Sequence, residues 1–171
     1  VRMGIRILYG AEVNIVDLHG KLDLPDSAMA QLDYCLAGMH LPCLSPGTTN
    51  ENTNAYVQAM KNPYISILAH ADDPKFPVDY HHLISAAMEH HVILELNNNS
   101  LAPDGYRGNA KENSRQILTL CKKYHYPVLL SSDSHGHENI GNFQYALKLI
   151  EETNFPMELI LNSSVTDFLS F

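Results

Sequence analysis

Tryptophan is absent from this 171-residue sequence, aromatic residues make up only 8% of it, and 11 lysines and arginines face 19 acidic residues. A formal charge of -8 would repel a nucleic-acid backbone unless metal ions or a local basic patch intervened, so small molecules and cations are the better-matched partners. The three cysteines, Cys35, Cys43 and Cys121, are odd in number and show no CxxC spacing. That pattern points to reduced, cytosolic thiols. No apolar run approaches the roughly 20 residues of a membrane span, and no charged-then-apolar leader is visible. No membrane partner and a cytoplasmic location are therefore expected. What is present is ordinary globular composition, 45% hydrophobic and 18% charged, in a chain long enough for one domain over residues 1–171 that buries roughly 70% of its unfolded surface. It also contains 10 histidines, many for a chain so poor in aromatic side chains.

Six apolar runs punctuate the chain: 5–13, 32–40, 65–71, 92–99, 128–135 and 158–164. Their near-continuous hydrophobicity, without strict alternation, predicts parallel strands covered on both faces. Between them, residues 49–62, 79–91, 110–125 and 142–154 carry apolar side chains at helical spacing. These include Leu83, Ala86 and Ala87, then Ile117, Leu120 and Cys121, then Phe143, Leu147 and Ile150. Alternating strands and helices define an α/β fold on a mainly parallel sheet. Residues 13–25, with a turn at Gly20, read as a hairpin excursion. Six strands fall short of a closed eight-stranded barrel, which takes about 250 residues.

Ligand-type side chains recur where these runs stop. Glu12 closes the first, His40 the second, His70 the third, and Asp133 with His135 the fifth. The carboxyl edge of a parallel sheet is where active sites are built, because the strand ends aim side chains into one mouth. A lone histidine at a strand end is ordinarily a packing residue, but five such groups on one edge predict a metal site. Asp133 and His135, two apart on a strand, would face one side about 6.5 Å apart. They would reach one ion, or one each of two ions roughly 3.5–4 Å apart. Glu12 is able to bridge two cations, whereas a neutral imidazole ligates one. Histidine mixed with carboxylate suits Zn, Mn or Fe better than Mg or Ca. His81, His82, His90, His91 and His125 lie on or beside helices and read as surface or packing residues. The amides of 96–100 would bond substrate or orient the ligands. Arg107, in the Gly-rich loop 103–109, would clamp a phosphate with two parallel hydrogen bonds.

On these residues the sequence resembles the PHP (polymerase and histidinol phosphatase) family, in its stand-alone bacterial phosphatase branch. The motifs are GAEVNI (10–15), AGMHLP (37–42), LAHADDPKF (68–76), LELNNNS (94–100) and SSDSH (131–135), in the family's order through nearly the whole chain. The resemblance implies an incomplete, distorted β/α barrel of TIM-like type. It also implies a cluster of two or three Zn or Mn/Fe ions that hydrolyses phosphomonoesters. Carried over by motif, Glu12 would bridge two ions, His40 and His70 would complete the shell of one, Asp133 would bind the other, and His135 would bind the third. Glu12, Asp133 and Arg107 are then the expected catalytic groups. The family's opening HxH strand, a further His and an Asp-His pair are missing before Glu12. The chain, which opens at Val1, therefore reads as an N-terminally truncated portion.

The function expected is a metal-dependent phosphatase acting on a small phosphorylated substrate. Two other readings stay open. One is an amidohydrolase-like metal hydrolase, which would want a bridging Lys where Glu12 stands. The other is a non-catalytic fragment that binds metal or assembles with another chain, including a second copy, through an unpaired sheet edge.

Overall fold

The computed structural model describes residues 4–103 and 105–171; of the expected arginine-bearing loop at 103–109, Asp104 lies outside the described residues. Five strands form one sheet in chain order: β1 (Gly10–Asn14), β2 (Tyr34–Gly38), β3 (Ile65–Leu68), β4 (Ile93–Asn97) and β5 (Val128–Ser131). Every pairing is parallel, as the unalternating apolar runs predict. Among the described residues the sheet is open, with β1 and β5 at its edges. This is an α/β fold consistent with part of a TIM-like barrel.

Parallel neighbours need crossovers, and helices supply them. The helices are α1 (Asp26–Met29), α2 (Thr49–Ala59), α3 (Tyr80–His90), α4 (Ala110–Tyr124), α5 (Gln144–Thr153) and α6 (Val165–Ser170). Thr48 and Glu51 close a reciprocal capping box on α2, and Asp79 accepts from the backbone N–H groups of His81 and His82 at the start of α3. Such caps are each worth about 1 kcal/mol. His91 and His125 end α3 and α4 in the left-handed conformation, so these two histidines serve helix termination, well away from the strand ends that carry the ligand-type residues. On the apolar faces of α3 and α4, Leu83, Ala86, Ala87, Ile117, Leu120 and Cys121 are buried, while His90 and Tyr124, at the same helical spacing, are half-buried.

Three details differ from expectation. The run at 158–164 is two short 3-10 segments, Met157–Leu159 and Leu161–Ser163, joined to β5 by a single bridge between Ile160 and Val128. The Asn162 side chain takes the place of a strand there: its Oδ1 accepts from Leu130 N at 3.0 Å and its Nδ2 donates to Leu130 O at 2.8 Å. On α5 the buried residues are Ala146, Leu149 and Ile150, while Leu147 is exposed. Asn98 Oδ1 accepts from the N–H groups of Tyr145 and Ala146, which fixes the rotation of the helix at its start. The hairpin excursion is reduced to one antiparallel bridge, Ile15 to Leu22. Gly20 turns it at φ +81°, where a Cβ would also meet Ala55 O at 2.7 Å.

The strands' two-residue period sorts side chains onto two faces. Val13, Cys35, Ala37, Leu68, Leu94 and Val128 join Ala55, Tyr56, Leu83, Ile84, Ile117 and Cys121 of the helices in one buried core. The opposite, open face follows from the register: Glu12 lies beside Leu36, Leu36 beside Ile67, and Ile67 beside Ile93. Glu95 and Asn97 continue that face on β4, with Leu129 and Ser131 opposite them on β5. Its lower half is apolar and is partly covered by Phe168 and Leu169 of α6 around a 270 Å³ cavity. Its upper half carries the polar groups.

Candidate functional site

Three of the expected ligands converge. Glu12 sits in the middle of β1, not at its end; on the open face its side chain extends toward the carboxyl edge. His40 follows β2 by two residues and His70 follows β3 by two. Because β1, β2 and β3 are consecutive neighbours, these offsets place the three side chains over one spot. His70 Nε2 lies 2.7 Å and His40 Nε2 3.0 Å from Glu12 Oε1, and the two Nε2 atoms are 3.0 Å apart. If both rings direct protons at the carboxylate, nothing is left to bond nitrogen to nitrogen. The three ligand atoms, within 4.8 Å of one another, are instead gathered closely enough to open onto one tetrahedral ion, whose donors at about 2.0–2.2 Å lie roughly 3.3–3.6 Å apart. The donor set of two imidazoles and one carboxylate fits Zn, Mn or Fe.

Hydrogen bonds from His40 and His70 hold the Glu12 carboxyl well below the usual carboxylate range, against the opposing effect of partial burial. Glu12 is thus a ready anion at neutral pH. Gly38, at the end of β2, makes the convergence possible. A Cβ there would lie 3.1 Å from His70 Cε1 and 3.2 Å from Glu12 Oε1, so a side chain would wedge the two ligands apart.

Asp133 and His135 are placed differently. β5 ends at Ser131, and Asp133 lies beyond it at φ +44°, a left-handed conformation that costs a non-glycine residue about 1–3 kcal/mol. The two are therefore on a loop, and the strand geometry expected for them does not hold. The Asp133 side chain is mostly covered and His135 is exposed. His135 Nδ1 is 3.0 Å from Asp133 O and 3.6 Å from Asp133 Oδ1. Both residues border the same 460 Å³ cavity as Glu12 and His40, while buried His70 touches those two from behind it; four of the five expected ligands thus line one mouth, and Glu12, His40 and His70 are the three in mutual contact.

Arg107 reaches this cavity and is largely covered. Its Nη1 donates to Asp133 Oδ2 and to Ser100 Oγ, both at 3.3 Å, and its Nε is 3.9 Å from Asp73 Oδ2. Lys75 steadies the loop that carries it, donating to Tyr106 O at 2.8 Å with its ammonium 3.5 Å above the Tyr106 ring.

Three further polar residues carry no part expected from the sequence: Asp72, Asp73 and Glu95. Burial pushes the Asp72 carboxyl up to about 6, opposed by a bond from Ser114. Asp73 lines the cavity. The available signal is the Asp-Asp pair in HADDPKF and the single acid within the apolar start of LELNNNS. Asn97, within the amide stretch expected to orient ligands, donates to Asp133 Oδ2 at 3.1 Å.

An α/β scaffold of this kind hosts many chemistries, and comparison with other sequences gives the class. No protein-family profile matches the chain. A protein of Caldicellulosiruptor bescii named "Probable phosphatase" is 39% identical over 168 residues, covering 98% of this chain and 69% of its own length. Like-named proteins of Acetivibrio thermocellus and Clostridium novyi are 39% and 37% identical over the same length, each with 68% of its own sequence covered. The chain belongs to this family of bacterial phosphatases. Among the described residues no helix is long and apolar enough to cross a membrane.

Proposed function

We propose that the protein hydrolyses phosphomonoesters of small molecules through a PHP-type multinuclear metal site, with residues 1–171 forming one unit of that architecture. The observation that carries the reading is the meeting of Glu12, His40 and His70 at 2.7–3.0 Å. These three would hold one ion, with Glu12 free to share its carboxylate with a second. Asp133 would serve that second ion and His135 a third. Bound divalent cations, whether Zn, Mn or Fe, would supply a water of pKa near 7 and offset charge on the phosphoryl oxygens.

The protein's own groups have the remaining tasks. Arg107 would orient a phosphate with its guanidinium fork, exchanging its present contact with Asp133 for the substrate. Asp73, 3.9 Å from Arg107 Nε, keeps the fork turned toward the cavity. Glu12 stays an anion throughout the neutral range because its hydrogen bonds hold its pKa down. The amidohydrolase reading has less support, since the position where it wants a bridging Lys carries Glu12 and, among the described residues, no lysine lines the cavity.

The test is turnover of an aryl phosphate by the full-length protein supplemented with Zn or Mn. Hydrolysis above the rate with metal alone is expected; a rate equal to that background contradicts the proposal.

A further inference from the structure

Strand β4 contributes none of the five candidate ligands, yet it is the strand buried along its whole length. Two of its residues on the open face are polar, Glu95 at 5% and Asn97 at 0% exposure. A carboxylate and an amide so deeply covered are tolerated only when bonded, and their bonds run to the ligands on either side. Glu95 Oε2 accepts from the backbone N–H of His70 at 2.7 Å and from Asn97 Nδ2 at 3.2 Å. Asn97 Nδ2 also reaches Asp133 Oδ2 at 3.1 Å, while Asn97 Oδ1 is pinned by Ser100 N at 2.9 Å.

The two residues reached this way share a conformational oddity. His70 has φ +30° and Asp133 φ +44°, in the left-handed region that side chains other than glycine enter only when their surroundings insist. For His70 the turn leaves its N–H pointing away from the β3 ladder and into the open face, where Glu95 receives it. Without that acceptor the N–H would be buried and unpaired, and the backbone would relax. The ring would then leave Glu12 and His40.

We propose that Glu95 is the positioning residue of this site: its carboxylate oxygen holds the His70 backbone in the left-handed turn that brings Nε2 onto Glu12 and His40. Through Asn97 it steadies Asp133 as well. The inference rests on the reading of His70 and Asp133 as metal ligands. The role depends on where the acceptor oxygen sits rather than on negative charge, and two conservative variants separate those properties. Glu95→Gln keeps an oxygen at full reach and loses the charge; Glu95→Asp keeps the charge and withdraws the oxygen by one methylene.

The experiment compares these variants with the wild-type full-length protein in two readouts: Zn or Mn affinity by calorimetry, and hydrogen exchange of the His70 amide by NMR. Removing a group that orients a metal ligand typically costs about 10–100-fold in affinity. Glu95→Asp should show a loss of that size and a His70 amide that exchanges at least about tenfold faster. Glu95→Gln should stay within about threefold of wild type in both. Asp at wild-type level with Gln impaired, or both at wild-type level, overturns the proposal. If the wild-type protein takes up neither metal, the metal reading fails by itself, and the His70 exchange rates still decide the part played by Glu95.

Discussion

Glu12, His40 and His70 meet on three adjacent strands, whereas Asp133 and His135 share one loop and, among the described residues, bond to none of those three. The first group is assembled by the sheet itself. Register fixes Glu12 opposite Leu36, Gly38 leaves the gap, and a buried carboxylate holds His70. The second group has one covered member, tied to Asn97 and Arg107, and one exposed member, His135. Bordering one cavity is therefore not the same as being in contact: the order of the backbone brings the first three side chains together and leaves the other two apart.

The comparison breaks most sharply with one histidine removed from each group. His70→Ala should weaken the first bound Zn or Mn by more than about 100-fold, beyond the range for loss of a merely orienting group. His135→Ala should change it by less than about threefold, and calorimetric titration of both variants measures the contrast. Equal losses would mean the two groups act as one.

Gly38→Val tests whether the first group is held by space. A side chain there overpacks the gap by about 1–3 kcal/mol, and if that falls on the ligand set it costs about five- to 140-fold in affinity at roughly 1.4 kcal/mol per decade. Ligand separation is directly visible in a crystal structure of the variant.

The smallest effect lies away from both groups. Lys111 and Arg115 of α4 hydrogen-bond Glu152 of α5 at 3.0 and 2.8 Å and lower its pKa. A depressed carboxylate stabilises the fold above its unfolded pKa, and that contribution disappears as pH falls through the lower folded value. Glu152→Gln should therefore lower Tm slightly at pH 7, by less at high salt, and not at all once the pH is below the folded pKa. Metal affinity should be unaffected.

Much of this was legible in the sequence because it depends on local period. Apolar runs without alternation announced parallel strands, and helical spacing announced α2 to α5. The ends of the second and third runs marked His40 and His70, which stand side by side just beyond β2 and β3. What the sequence did not reveal depends on contacts between distant segments. The 158–164 run looks like a strand, yet the Asn162 amide binds Leu130 at both N and O, an arrangement no periodicity encodes. Asp133 and His135 have the spacing of strand neighbours, but β5 stops before them because Asp133 turns to positive φ. Glu95 is hidden for a related reason: a buried acid inside an apolar strand reads as noise until the residue whose N–H it accepts, 25 positions away, is seen beside it.

The most direct test of the central claim is anomalous X-ray scattering from crystals of the full-length protein grown with Zn or Mn. A metal peak bounded by Glu12 Oε1, His40 Nε2 and His70 Nε2 is expected. Well-ordered density for those three side chains, still bonded to one another and without such a peak at saturating metal, would contradict it.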